Sequence, residues 1–228
     1  MSKQITIGTE TYNLPESGEN PPWGEELSDI IEALSESVNT IQGPNDITET
    51  SISLLNTSGA KNITGLAFNP SQVRSVEISY NISRTITKTI STIPTGTGVI
   101  QLDCTTAHNL FTGDTFTISG SNSTPSIDGV YTITKIDSDS FTIDIGSTNI
   151  TVAGTSGTFP VELVESGIIL VNYGQQGWAF SQERVDNPSA LVELSVLSTG
   201  QFQYNPTVLT GASYVGVMKF MAKALITT

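Results

Sequence analysis

The sequence predicts a mainly β protein: a β-sandwich with an inserted small β-barrel and one N-terminal amphipathic helix. Three observations lead there. The polar residues are mostly Ser, Thr, Asn and Gly, with 37% hydrophobic and only 14% charged residues, a mixture suited to strands and turns. Apolar residues alternate with period two from Ile47 onward. Two Gly- and Thr-rich segments that each carry a proline, STIPTGTG ending at Gly98 and VAGTSGTFP ending at Pro160, bracket a middle stretch of the same character.

The first element is an arm with a helix, residues 1–46. In PESGENPPWGEELSDIIEALSESVNTIQGPND, Leu27, Ile31, Leu34, Val38 and Ile41 form an apolar stripe of heptad type. Pro-Pro-Trp-Gly before it and Gly43-Pro44 after it bracket the helix, and Glu25 and Glu26 favour its N-terminal dipole. Two readings of the stripe are open. It packs on its own domain, or it forms the seam of a short coiled coil, for which Ile and Leu at the seam positions are compatible with three strands.

The β-sandwich is expected over 47–93 plus 160–228. In VEISYNIS, Val76, Ile78, Tyr80 and Ile82 alternate with Glu77, Ser79, Asn81 and Ser83, a strand with one buried face. The style resumes with VELVESGIILVNYG, GWAFSQE, ALVELSVLSTGQFQYN and SYVGVMKFMAKAL, where Ser198-Thr199-Gly200 reads as a tight hairpin turn. Between these halves, 94–159 is expected to be the inserted barrel. There Ile100, Leu102 and Cys104 share a face, as do Phe116 and Ile118, Tyr131 and Ile133, and Phe141, Ile143 and Ile145.

Charge and motifs narrow the function classes. With 22 acidic and 9 basic residues the formal charge is −13, so no basic groove for nucleic acid is expected. The start MSKQITIGTE lacks a signal-like apolar core and no 18-residue apolar run occurs, so the expectation is cytoplasmic synthesis and no membrane partner. One cysteine and one histidine allow neither an internal disulfide nor a Cys₂His₂ or Cys₄ zinc site. No P-loop, Gly-x-Ser-x-Gly elbow, dinucleotide fingerprint or His-Glu-x-x-His is present, and no cofactor or metal is expected. Parity turns Cys104 into the core, His108 falls in a turn, and KIDSDSFTID reads as a hairpin through Asp137 to Ser140 rather than a calcium loop. Trp23 and Trp178 are read first as packing residues, with Trp178 kept as the candidate glycan contact.

Three stretches resemble known families. Residues 104–145, with Ala107-His108-Asn109-Leu110, Thr112-Gly113-Asp114, Ile118-Ser119-Gly120, Asp128-Gly129 and Phe141-Thr142-Ile143, resemble the small β-barrel module named after the first catalytic-cysteine half-domain of ubiquitin-activating enzymes. That module recurs as an insert in tailed-phage virion proteins and does not carry the catalytic cysteine. Where such modules usually have Asn-Gly, this chain has Asp128-Gly129. GQFQYNPTVLTGASYVGVMKFMAKAL resembles the closing hairpin and last strand of phage fibre and decoration proteins, and TYNLPESGENPPWGEELSDIIEAL is similar to their openings.

The resemblance implies a non-enzymatic virion component, a capsid decoration, head fibre, neck or tail fibre protein assembled in the host cytoplasm. Its partners would be itself, as a homotrimer through Leu27, Ile31, Leu34, Val38 and Ile41, and other virion proteins. The alternative is a carbohydrate-binding receptor module that contacts host surface glycan near Trp178. An enzyme such as a polysaccharide depolymerase ranks last, since it rests on carboxylates alone.

Overall fold

The computed structural model describes residues 3–7, 10–14, 30, 31, 34, 45–186 and 190–226, in two units, Met1–Pro44 and Asn45–Thr228. In the first unit, β1 (Lys3–Ile7) and β2 (Glu10–Leu14) pair as an antiparallel hairpin, with Ile7 opposite Glu10. Ile30, Ile31 and Leu34 are helical; Leu27, Val38, Ile41 and Trp23 lie outside the described residues.

The second unit is mainly β, as predicted, and every strand pair in it is antiparallel. In chain order its strands are β3 (Ile47–Ser53), β4 (Lys61–Ala67), β5 (Val73–Thr92), β6 (Val99–Cys104), β7 (Thr115–Ile118), β8 (Gly129–Thr132), β9 (Thr134–Lys135), β10 (Ser140–Asp144), β11 (Thr158–Gly174), β12 (Gly177–Asp186), β13 (Val192–Val196), β14 (Gln201–Pro206) and β15 (Ala212–Ile226). β5 is the spine. It pairs with β11 from Ser75–Asn172 to Thr89–Thr158, and on its other side with β15 from Val73–Ile226 to Ala212–Thr87. β12 extends this sheet beyond β11 and β3 extends it beyond β15, while β6, β10 and β9 continue from the far end of β5. The period-two pattern holds along β5 from Val76 to Ile90, because β-branched and hydroxyl side chains suit a pleated surface whose two faces differ in burial.

Two cores lie along this spine. The first joins Val76, Ile78, Tyr80 and Ile82 of β5, Ile169 and Val171 of β11, and Met218, Phe220 and Ala222 of β15 to side chains of the three-stranded sheet β13-β14-β4, among them Ile63, Leu66, Val192, Phe202 and Tyr204. The second collects Ile100, Leu102 and Cys104 of β6, Phe116 and Ile118 of β7, and Phe141 and Ile143 of β10. These pack on Ile86 and Ile90 of β5 and on Phe159, Val161 and Leu163 of β11, so this core draws on both sides of the two linkers. Phe116, Phe141 and Phe159 meet edge to face with centroids 4.8–5.8 Å apart. Such contacts add about 0.5–1.5 kcal/mol each beyond area burial, and here they join the middle stretch to the spine.

The predicted Ser198-Thr199-Gly200 turn joins β13 to β14. It closes through Leu197 N–H to Gln201 O and Gly200 N–H to Leu197 O, both 2.9 Å. Gly200 has φ +86°, and its carbonyl accepts from Phe68 N–H at 3.1 Å, so the two backbones approach closely. A Cβ at Gly200 would run into the Phe68 carbonyl oxygen. Gly200→Ala therefore carries both left-handed strain and a backbone clash, and is expected to lose roughly 2–3 kcal/mol in urea unfolding. An unchanged midpoint would show that the turn relaxes freely.

Candidate functional site

The residues with the most reactive chemistry have structural work. Cys104 is buried on the face shared with Ile100 and Leu102, as parity predicted, and burial pushes its thiol up to about 12 against the opposing effect of Lys88. His108 is fully buried and lies in the turn after β6. Its Nδ1 accepts from Leu110 N–H at 3.0 Å, so the proton sits on Nε2, 3.1 Å from the Asp137 carbonyl it donates to. Burial, opposed by backbone hydrogen bonds, lowers its pKa, and Phe141 packs against it edge on at 5.2 Å. The imidazole is thus neutral with both nitrogens engaged, a turn-closing residue.

The acidic stretch Asp137 to Ser140 forms the hairpin turn between β9 and β10. Asp137 Oδ1 accepts from Ser140 Oγ at 2.7 Å, Ser140 N–H at 2.8 Å and Asp139 N–H at 3.0 Å, and these bonds hold its carboxyl at about 2. Asp128 takes the Gly120 and Ser121 amides in the same way. Among the described residues no group of three His, Cys, Asp or Glu side chains is placed to hold a metal ion, and no helix is long and apolar enough to cross a membrane.

The unexpected residues are three fully buried charges, Arg84, Lys88 and Glu165. Extending the VEISYNIS alternation through SRTITKTI places Arg84 and Lys88 on the face of Ile82, Ile86 and Ile90, so the signal was in the sequence. Arg84 Nη1 donates to Ala190 O (2.7 Å) and Leu191 O (3.2 Å), Nη2 to Thr207 O (2.7 Å) and Asn56 Oδ1 (3.1 Å), and Nε to the Tyr214 hydroxyl (3.2 Å). All five guanidinium hydrogens are used, in a cage built from three separate loops. Lys88 donates to Thr210 O at 2.7 Å, and burial lowers its pKa.

Glu165 sits beside Tyr80, whose hydroxyl donates to Oε1 at 2.8 Å and accepts from Gln182 Nε2 at 2.6 Å. Among the described residues its Oε2 has no hydrogen-bond partner, and it lies 3.9 Å from Arg184 Nη1. Gly167, directly opposite Tyr80, leaves the space that the phenol fills. Burial raises the Glu165 pKa, and the Tyr80 hydroxyl, Arg184 and the Ala190 amide oppose that only in part. A folded-state pKa above the unfolded one means that the contribution of Glu165 is fully present below the ordinary carboxylate range and is lost as pH rises through the folded value. Wild-type stability is therefore expected to fall relative to Glu165→Gln as pH is raised from ~4 to ~8. Urea midpoints across that range check this; a difference that stays constant would mean that folding leaves the Glu165 pKa unshifted.

Trp178, on β12, is half-buried against the first core, with its ring 5.0 Å from that of Tyr173 and its Nε1 buried without a hydrogen-bond partner among the described residues. Arg74 lies over the other member of this pair, 5.7 Å from the Tyr173 centroid. Of the N-terminal stripe, Ile31 and Leu34 are exposed, at 57% and 47%. A groove of about 400 Å³ between β7 and β11 is lined by Asp114, Thr115, Thr117, Pro160 and Glu162, and its two carboxylates already accept from Phe111 N–H and Ser83 Oγ.

Compared with protein-family models, curated proteins and solved structures, the chain matches none of them.

Proposed function

We propose that this chain is a non-enzymatic structural component of a tailed-phage virion, a capsid decoration or a head, neck or tail fibre protein that assembles as a homotrimer on the particle. In this reading the sheets around the first core are a β-sandwich over 47–93 and 160–228, residues 94–159 are an inserted small β-barrel that faces solvent or host, and Leu27, Ile31, Leu34, Val38 and Ile41 are the seam of an N-terminal helix. The resemblances in residues 104–145 and at the two ends of the chain support it.

One observation carries the reading. β5 and β11 are paired over 15 consecutive residues and run without a break from one core into the other. Backbone ladders continuous across two cores leave no hinge between them, which suits a part that is assembled once and must keep its shape. A purified chain with a light-scattering mass three times its 24.2 kDa, and immunogold label on the phage particles of the source genome, are the expected results. Particles that carry no label would overturn the virion assignment, and a monomer at high concentration would overturn self-assembly.

A further inference from the structure

We propose that the outward face of the long sheet, across β12, β11, β5, β15 and β3, is where a second copy of this chain packs. The inference rests on the self-assembly reading and names its surface. Exposed apolar side chains concentrate there: Val185 at 76%, Leu225 at 70%, Val215 at 60%, Leu170 at 51%, Ile168 at 44% and Met221 at 43%. Strand parity puts all six on one side, because their register partners Ser166, Ser75, Thr85, Glu77 and Ser79 are the outward residues of β11 and β5. Ile168 and Met221 both lie beside Ser79, so small hydroxyl residues on the central strand are flanked by apolar residues on its neighbours. The result is a trough with a cavity of about 200 Å³ between Glu49, Ser79, Asn81, Lys219 and Met221. Contiguous exposed apolar surface of this kind marks interaction sites.

Charge argues for a copy of the same chain. At −13, two copies repel over most of their surfaces. At the centre of this face, however, Lys219 pairs with Glu49 at 3.5 Å, and Lys223 lies directly across from Glu77. The Lys–Glu pairs offset one another along β3, β15 and β5, with Glu183 opposite Ile168 and Glu162 adding negative charge at the β12 and β11 side, and each Lys can exchange its Glu for that of the other copy. Size agrees as well. From Glu162 to Asn172 the three central strands run roughly 35 Å, with β12 joining from Glu165 and β3 alongside Val217 to Ala222, and the face is roughly 20 Å wide. That is about 700 Å² per copy, close to the ~800 Å² per partner of a standard interface.

The test uses the full chain. Ile168→Asp with Met221→Asp is expected to reduce the light-scattering mass from a multiple of 24.2 kDa to that value, with an unchanged circular dichroism spectrum. Because the native Cys104 is buried, Met221→Cys gives a second readout that does not depend on the double variant folding: mild oxidation should yield a disulfide-linked band of two chains. A wild-type oligomer that persists in the Asp variant and gives no cross-linked band overturns this face and leaves self-assembly standing through another surface. A monomeric wild type overturns both. A monomer whose Met221→Cys thiol is shielded from reagent would show that another part of the same chain covers the face, and would also overturn the proposal.

Discussion

Arg84→Met is expected to lower stability by at least about 3 kcal/mol, because each buried acceptor left without its donor costs ~1–3 kcal/mol. The substitution keeps the volume and removes the charge, yet it takes the Arg84 donors from the carbonyls of Ala190 and Thr207, and it leaves Leu191 O and Asn56 Oδ1 with only the Thr207 and Leu209 amides. Leu191 holds a positive φ of 54°, a strained conformation for a branched side chain, and the bond to Arg84 helps to offset that strain. The Tyr214 ring, 5.5 Å from the guanidinium carbon, loses its cation as well. In a domain of this size the loss corresponds to roughly 6–12 °C in thermal midpoint. Arg84→Lys should fall between the two, since an ammonium keeps the charge but offers three donors where five acceptor sites are met. Thermal and urea unfolding of the three proteins check the order; a methionine variant as stable as wild type would mean that water satisfies the cage.

That residue also shows how much of the molecule could be read from the sequence. The buried face of β5 follows from alternation alone, and so do the burial of Cys104 and the hairpins at Asp137 and Gly200, since these depend on neighbours close in the chain. Alternation also places Arg84 inside, but what neutralises it comes from Ala190, 106 positions away, and Thr207, 123 positions away. No periodicity encodes such partners. Glu165 has the parity of Leu163 and Ile169 and could have been flagged as an inward carboxylate in the same way. Its pairing with Tyr80 depends on the register that sets Gly167 opposite that tyrosine. The Trp178 environment is a matter of tertiary packing too, because an edge strand reads the same whether its indole packs at a tilt against a tyrosine or faces solvent. For the N-terminal stripe, spacing states which residues share a helix face and is silent on whether a second copy covers it.

Replacing residues 97–158 with a short Gly-Ser linker puts the two cores in direct competition. Their separation by Gly- and Thr-rich linkers suggests a module that can be lifted out, and the residues of β5 and β11 that pair lie outside the cut apart from Thr158. The packing argues otherwise. Removing β6 to β10 strips the cover from Ile86, Ile90, Ile93, Phe159, Val161 and Leu163, each at most 2% exposed in the intact protein. At about 1.5–3 kcal/mol for each large side chain, exposing six of them costs on the order of 10 kcal/mol. That is comparable to the ~5–15 kcal/mol that holds a whole domain together. Leu209, Leu191 and Tyr214 remain as the part of this cluster that lies outside the cut together with β5 and β11. The excised protein is therefore expected to aggregate, or to stay soluble only with the far ends of β5 and β11 unpaired. Size exclusion with amide exchange on the product distinguishes these outcomes, the second showing protection around Ile78 and Ile169 and none around Ile90 and Phe159. A soluble product protected along the whole ladder would establish instead that the spine holds itself together by backbone pairing and the β15 side, and that the middle stretch is cargo on it.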